Sequence, residues 1–217
     1  MKKTVLFINA GHGGMDEYGN NLTDPIAGKQ TKHTNGKVYH HGEWFYEGVF
    51  NRQIADEFIS KAMCMGYHCV KVYDEKEDTN RRDRINYGNL LSAQFNQKGN
   101  HCIWLSFHAN AAYAGTSPQT VAEGVCTFVY KLGTGTAKNA ELISLAMQKV
   151  FDRWGSKRRA QLIHDRSLDE TTYTAMPAML FEVGFFDNPH NADLLINPEF
   201  RSEVIDAMLK EIEQIYE

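Results

Sequence analysis

No apolar run in this chain approaches the roughly 18 residues that a helix needs to cross a bilayer, which argues against membrane insertion. Positive charge is not in surplus either. The 23 Lys and Arg stand against 27 Asp and Glu, a formal net charge of -4, so no bulk positive field exists to hold a polyanion and a dedicated nucleic-acid binder is not expected. Cysteine is scarce: Cys64, Cys69, Cys102 and Cys126 lack the paired spacing of a zinc knuckle and are expected to be free, mostly buried thiols. Cys64 and Cys69 flank a turn at Gly66 among apolar neighbours, which favours a core setting over a loose pair of metal ligands. Internal repeats, low-complexity tracts and linkers are absent too. The start, Met1-Lys2-Lys3-Thr4-Val5-Leu6-Phe7, turns polar by Asn9, too soon for a signal peptide, so the expectation is a protein made in the cytoplasm. What is abundant is core material. With 42% hydrophobic residues in 217, the chain suits one globular domain over residues 1–217 that needs no disulfides.

Thr4 to Ala10 is a short apolar run that stops at Gly11, the pattern of a strand buried on both faces. From Gly13 to about Trp44 the chain shows no sustained period, and a loop of that size inside a domain is usually functional. It is therefore expected to face substrate, over about residues 15–46. Phe50, Ile54, Phe58, Ile59, Ala62 and Met63 recur at helical spacing, and Gly66 fits the stop. Strands are expected at Tyr67 to Tyr73, Cys102 to Phe107, Gly124 to Tyr130 and Ala178 to Val183. Helices are expected at Arg82 to Gln97, at Ala137 to Trp154 and through the closing stretch from Phe200 to Ile215. Strands alternating with helices predict an α/β domain, a mainly parallel twisted sheet with helices on both faces.

In such sheets ligands gather beyond the carboxyl ends of the strands. Three ends carry chemistry-bearing residues: Gly11-His12-Gly13-Gly14, His108-Ala109-Asn110-Ala111, and Glu182-Val183-Gly184-Phe185. Two histidines at neighbouring strand ends, with a carboxylate from the start of a helix, make the His₂Glu set that holds a catalytic zinc and leaves a position open for water. Glu47, before the helix near Phe50, is the natural carboxylate. Glu43 is a rival within the loop, and an acid favoured by a helix N-terminus is the plainer reading of Glu47. The remaining histidines, His33, His68, His101, His164 and His190 among them, read as surface or loop residues; His40-His41 stands out only for lying near Glu47. Glu182 sits between Met179-Leu180-Phe181 and Val183-Gly184-Phe185-Phe186, where desolvation should raise its pKa and suit it to proton shuttling. The competing reading pairs it with an arginine such as Arg84 or Arg166.

Several of these blocks together resemble a known family. They are Val5-Leu6-Phe7-Ile8-Asn9-Ala10-Gly11-His12-Gly13-Gly14, the Glu47-x-x-x-Asn51-x-x-Ile54-Ala55 pattern, Arg84-x-x-x-Gly88-Asn89, Ser106-Phe107-His108-Ala109-Asn110-Ala111, and the stretch from Pro177 to Asn188. In this order, spanning nearly the whole chain, they look like the zinc-dependent N-acetylmuramoyl-L-alanine amidases of the type-3 amidase family. The resemblance implies one amidase catalytic domain in which His12, Glu47 and His108 hold Zn²⁺ and Glu182 is the catalytic acid/base. Asn110 and Arg84 would help to orient substrate. Three departures stand out: Asn9-Ala10 replaces the acidic residue and the small residue or proline usual before Gly-His-Gly, Val72-Tyr73-Asp74 replaces the usual Thr-Arg, and the stretch between His12 and Glu47 is longer than typical.

The activity implied is hydrolysis of the amide between N-acetylmuramic acid and the L-alanine that begins the peptidoglycan stem peptide. The partner would be peptidoglycan or a muropeptide. Two alternatives stand beside it, a zinc peptidase cutting within the stem peptide and a non-catalytic peptidoglycan-binding module. The address expected is the cell wall, reached after holin-mediated release of a phage-type endolysin, or by secretion if a leader precedes this sequence.

Overall fold

Val5, Leu6, Phe7 and Ile8 are all buried, as a central strand packed on both faces requires of its side chains. The computed structural model describes residues 3–16, 18–22, 29–113, 120–158 and 160–217. In chain order its elements are β1 (Thr4–Ala10), β2 (Gln30–Lys32), β3 (Trp44–Tyr46), α1 (Glu47–Cys64), β4 (His68–Lys71), α2 (Arg81–Gln97), β5 (His101–Asn110), β6 (Val125–Val129), α3 (Gly135–Arg153), β7 (Gln161–His164), α4 (Asp169–Thr172), β8 (Ala178–Phe185), α5 (Pro189–Ile196) and α6 (Pro198–Tyr216). Six strands form the main sheet in the order β4-β1-β5-β8-β6-β7. All neighbours run parallel except β6 and β8, which are antiparallel.

Side chains alternate across β1, so Leu6 and Ile8 face one layer and Val5 and Phe7 the other. The larger layer packs Phe50, Ile54 and Phe58 of α1 with Ile143, Met147 and Phe151 of α3 and Phe200, Val204 and Met208 of α6. On the opposite face Trp104, Ile85 and Phe95 make a smaller cluster under α2. The expected α/β architecture, mainly parallel with helices on both faces, is therefore the observed one. No described helix is long and apolar enough to cross a membrane.

Several local expectations change. The stretch from Gly13 to Trp44 is not wholly irregular, because β2 pairs antiparallel with β3, Gln30 opposite Tyr46. That pairing ties the segment to the start of α1; residues 17 and 23–28 of the loop expected to face substrate lie outside the described residues. His33, expected near the surface, is buried, stacked on Tyr39 at 4.6 Å with Nε2 3.0 Å from the Phe186 carbonyl oxygen. It anchors the segment to the loop after β8. Cys64 is exposed and Cys69 half-buried, while Cys102 and Cys126 are buried as expected. Helix α5 follows an Asn188 cap whose side chain accepts from His190 and Asn191, and α6 follows the same device at Asn197, each with Pro in the first turn.

Candidate active site

After Ala10 the chain leaves β1 with His12 at φ 60°, a left-handed conformation that costs a non-glycine residue about 1–3 kcal/mol and persists only where its surroundings enforce it. Here they do. The Gly11 N–H donates to Phe107 O and the Gly14 N–H to Lys76 O (2.7 Å). Arg52 donates to the carbonyls of His12, Gly48, Asp74 and Glu77, binding the turn to α1 and to the loop after β4. Glycine is required at two contacts. A Cβ on Gly11 would lie 1.9 Å from Cε1 of His108, and one on Gly48 would lie 1.8 Å from the Gly13 carbonyl oxygen. The two imidazoles can approach only because Gly11 has no side chain; their ring centroids are 5.3 Å apart.

Glu47 is the first residue of α1 rather than a residue ahead of it, and its carboxylate is buried. Its backbone N–H donates to Lys29 O at 3.1 Å. Oε1 lies 3.0 Å from His108 Nδ1 and 3.4 Å from His12 Nε2, and Oε2 lies 3.5 Å from Lys29 Nζ. Asn51, one turn on, donates to Gly11 O at 3.1 Å, coupling α1 to the turn after β1. His12, Glu47 and His108 each offer a ligand atom within 4.8 Å of the others. His12 Nε2 is buried with no aligned hydrogen bond among the described residues. A buried imidazole nitrogen with no hydrogen-bond partner, aimed at a second imidazole and a carboxylate, fits a divalent zinc in donor type and number.

Strand register brings Glu182 directly opposite His108, and beyond that pair the β5–β8 ladder shifts through a bulge before Asn110 meets Phe185. Glu182 Oε2 is buried and has no hydrogen-bond partner among the described residues. Burial lifts its carboxyl to about 7, against the pull of His108 and with a push from the Glu47 charge. The same burial acts on Glu47, but His12, hydrogen bonds from His108 and His12, and Lys29 outweigh it and hold that carboxyl well below the usual range. At His108 burial works against the charged form, yet the charge and hydrogen bond of Glu170, with Glu47 and Glu182, hold the imidazole up at about 10. The carboxyls of Glu47 and Glu182 are thus driven in opposite directions, a division that suits one to hold a cation and the other to carry a proton.

The other candidates fall outside this cluster. Glu43 is half-exposed and lies 3.8 Å from Lys32 Nζ. His40 accepts from the Tyr46 N–H at 2.9 Å and is held by burial at about 4, a prop for β3. Arg166 lies over the Tyr130 ring, 5.3 Å from its centroid. Asn110 turns its amide oxygen onto the N–H of Ala111 at 2.8 Å. Arg84 is buried and donates to Asn9 Oδ1 and Ala10 O. Lys29 and Glu170 escaped the sequence reading. Lys29 lies in a stretch with no period to place it, and Glu170 is brought to His108 by tertiary packing that no local pattern signals.

Residues 6–214 match the N-acetylmuramoyl-L-alanine amidase family. A germination-specific N-acetylmuramoyl-L-alanine amidase of Bacillus subtilis is 26% identical over 143 residues, 66% of this chain and 53% of that protein. The N-acetylmuramoyl-L-alanine amidase CwlM of Mycobacterium tuberculosis is 24% identical over 103 residues, 46% of this chain and 25% of the relative. The chain thus spans about half of the first of these proteins and about a quarter of the second. Among solved structures, an N-acetylmuramoyl-L-alanine amidase from Clostridium difficile 630 shares the fold, with a TM-score of 0.70 at 20% identity over 98% of this chain and 96% of that one.

Proposed function

The chain belongs to the N-acetylmuramoyl-L-alanine amidase family, and from that premise we propose that it hydrolyses the amide joining the lactyl group of N-acetylmuramic acid to the first L-alanine of the peptidoglycan stem peptide, with zinc held by His12, Glu47 and His108. Zinc in that site supplies Lewis acidity to the scissile carbonyl and to the attacking water. The chain's own residues do the rest. Glu47 and the two imidazoles present one oxygen and two nitrogens from three different elements, and Arg52 and Asn51 hold those elements in place. Glu182 takes the proton from water and hands it to the departing amine of L-alanine. One carboxyl serves both halves of the reaction because a group poised at about 7 holds and releases a proton with similar ease near neutral pH. Arg84, buried on Asn9 and Ala10, acts as a support for this end of the sheet rather than as a substrate contact.

The observation that carries the reading is Glu182 set opposite His108, its buried Oε2 without a hydrogen-bond partner among the described residues, beside a His₂Glu donor set. It is tested by measuring metal content and hydrolysis of a muramoyl-L-alanyl peptide on the same preparations. The purified protein should carry about one zinc per chain, and His12→Ala and His108→Ala should lose metal and turnover together. Full metal occupancy with undiminished turnover in both variants would remove the assignment.

A further inference from the structure

Glu170 is the second residue of the short helix α4 and is buried. Its Oε2 lies 3.3 Å from His108 Nε2, an ion-pair contact without an aligned hydrogen bond, on the ring nitrogen opposite the one that faces Glu47. Oε1 accepts from Asn9 Nδ2 at 2.9 Å, and Arg84 Nη2 is 3.8 Å away. Asn9 is itself fixed on both sides. Its Oδ1 accepts from Arg84 Nη1 at 2.6 Å, and its Nδ2 also reaches Ser106 Oγ at 3.0 Å. Ser106 Oγ in turn accepts from Trp104 Nε1 at 2.7 Å. A buried line of polar groups therefore runs from Arg84 on α2 through Asn9 on β1 and Glu170 on α4 to His108 on β5.

A metal-ligating imidazole must offer a lone pair at one nitrogen and carry its proton on the other, and a carboxylate on the far nitrogen fixes both the tautomer and the ring's direction. We propose that Glu170 is the positioning carboxylate of His108: it accepts the Nε2 proton and thereby commits Nδ1 to the metal, while Asn9 and Arg84 hold Glu170 in register. The inference rests on the reading of His108 as a ligand. It also accounts for Asn9. The amide uses its oxygen toward Arg84 and its NH₂ toward Glu170, and an aspartate at that position would set a second carboxylate about one hydrogen bond from the first, where like charges oppose each other.

The test uses the full chain with zinc, and with cobalt(II) as a spectroscopic probe. Glu170→Gln keeps the shape and loses the charge. Zinc affinity, measured by competition with a chelator, should fall about 10- to 100-fold, and the cobalt absorption bands should shift while far-UV circular dichroism stays unchanged. Asn9→Asp should weaken zinc binding by repulsion. Asn9→Asp with Glu170→Gln, which exchanges carboxylate and amide, should recover part of the lost affinity, a recovery that merely structural damage would not show. A nitrogen-15 spectrum of the zinc-loaded wild type should show His108 protonated at Nε2. A Glu170→Gln variant with affinity within twofold of wild type and an unmoved cobalt spectrum, or a His108 proton on Nδ1, would overturn the proposal. Failure of the wild type to bind zinc, or binding that survives His12→Ala and His108→Ala unchanged, would instead overturn the ligand assignment beneath it and Glu170's role with it.

Discussion

Glu182→Gln exchanges a carboxyl for an amide of the same shape at the β8 position facing His108. Burial lifts this carboxyl from 4.5 to about 7. At about 1.4 kcal/mol per unit, and with a discount for the residue's partial solvent access, the ionised form is disfavoured in the native protein by about 2–3 kcal/mol. The sign follows from proton counting. Below 4.5 the native and unfolded chains both hold the proton and there is no penalty. As pH rises toward 7 the unfolded chain releases it first, so native stability falls, and above 7 the whole deficit remains. An amide has no proton to lose. In urea denaturation of the chelator-treated protein, Glu182→Gln should exceed wild type by less than about 1 kcal/mol near pH 5 and by about 2–3 kcal/mol near pH 8. The same variant should keep its metal-binding capacity and lose turnover by about 10²- to 10⁴-fold, the usual scale for a general acid–base group. A variant no more stable than wild type near pH 8, or one that retains wild-type turnover, would refute the assignment of Glu182 as a strained proton carrier.

Gly11→Ala would place a methyl 1.9 Å from the His108 ring; displacing that ring by about an ångström should cost about 10²-fold in kcat/KM, with the far-UV spectrum unchanged, and a fully active variant would show that His108 need not sit where it does. Replacing Asn21 to Lys37 with a short Gly/Ser link removes β2, the Lys29 carbonyl that receives the Glu47 N–H, and the Lys29 ammonium beside the carboxylate. Chelator competition should then report weaker zinc binding together with weaker hydrolysis, whereas unchanged values of both would make the segment a passive connection. Stability should also have an acid limb: Glu170, which burial would raise but His108, Arg84 and Asn9 bring down to about 2, contributes stability present above 4.5 that is lost as pH falls toward 2, and in Glu170→Gln that limb of the urea-measured stability profile should flatten.

Strands β1, β5 and β8 were legible because each is a continuous apolar run, the mark of burial on both faces, and each runs into a glycine or histidine where packing gives way to chemistry. That is why His12, His108 and Glu182 stand out in the sequence as candidates. The bounds of β1 agree with the sequence, whereas β5 continues past Phe107 to Asn110 and β8 past Val183 to Phe185, so His108 lies within the ladder, paired with Glu182, rather than beyond it. Strand β7 was missed because Gln161–His164 is only four residues at a sheet edge, half-buried at best, with too little pattern to separate it from a loop. Strands β2 and β3 are shorter still and are defined by pairing with each other rather than by any local period. The Asn188-Pro189 start of α5 did carry a cap-and-proline signal, hidden because it directly follows the Glu182 block. Glu170 had no local signal at all. Its partner Asn9 is 161 residues away, and only the stacking of α4 and α2 under the sheet brings them together.

The bond broken tests the central claim most directly. Zinc-assisted water attack on a carbonyl, with one carboxyl moving the proton, yields amide cleavage, whereas glycosidic cleavage calls for a pair of carboxyl groups flanking the sugar ring. Purified peptidoglycan digested with the protein and analysed for new chain ends should therefore yield free amino-terminal L-alanine and peptide-free glycan strands, with no new reducing sugars. New amino termini on any other residue would point to cleavage within the stem peptide, and new reducing ends would contradict the amidase account altogether.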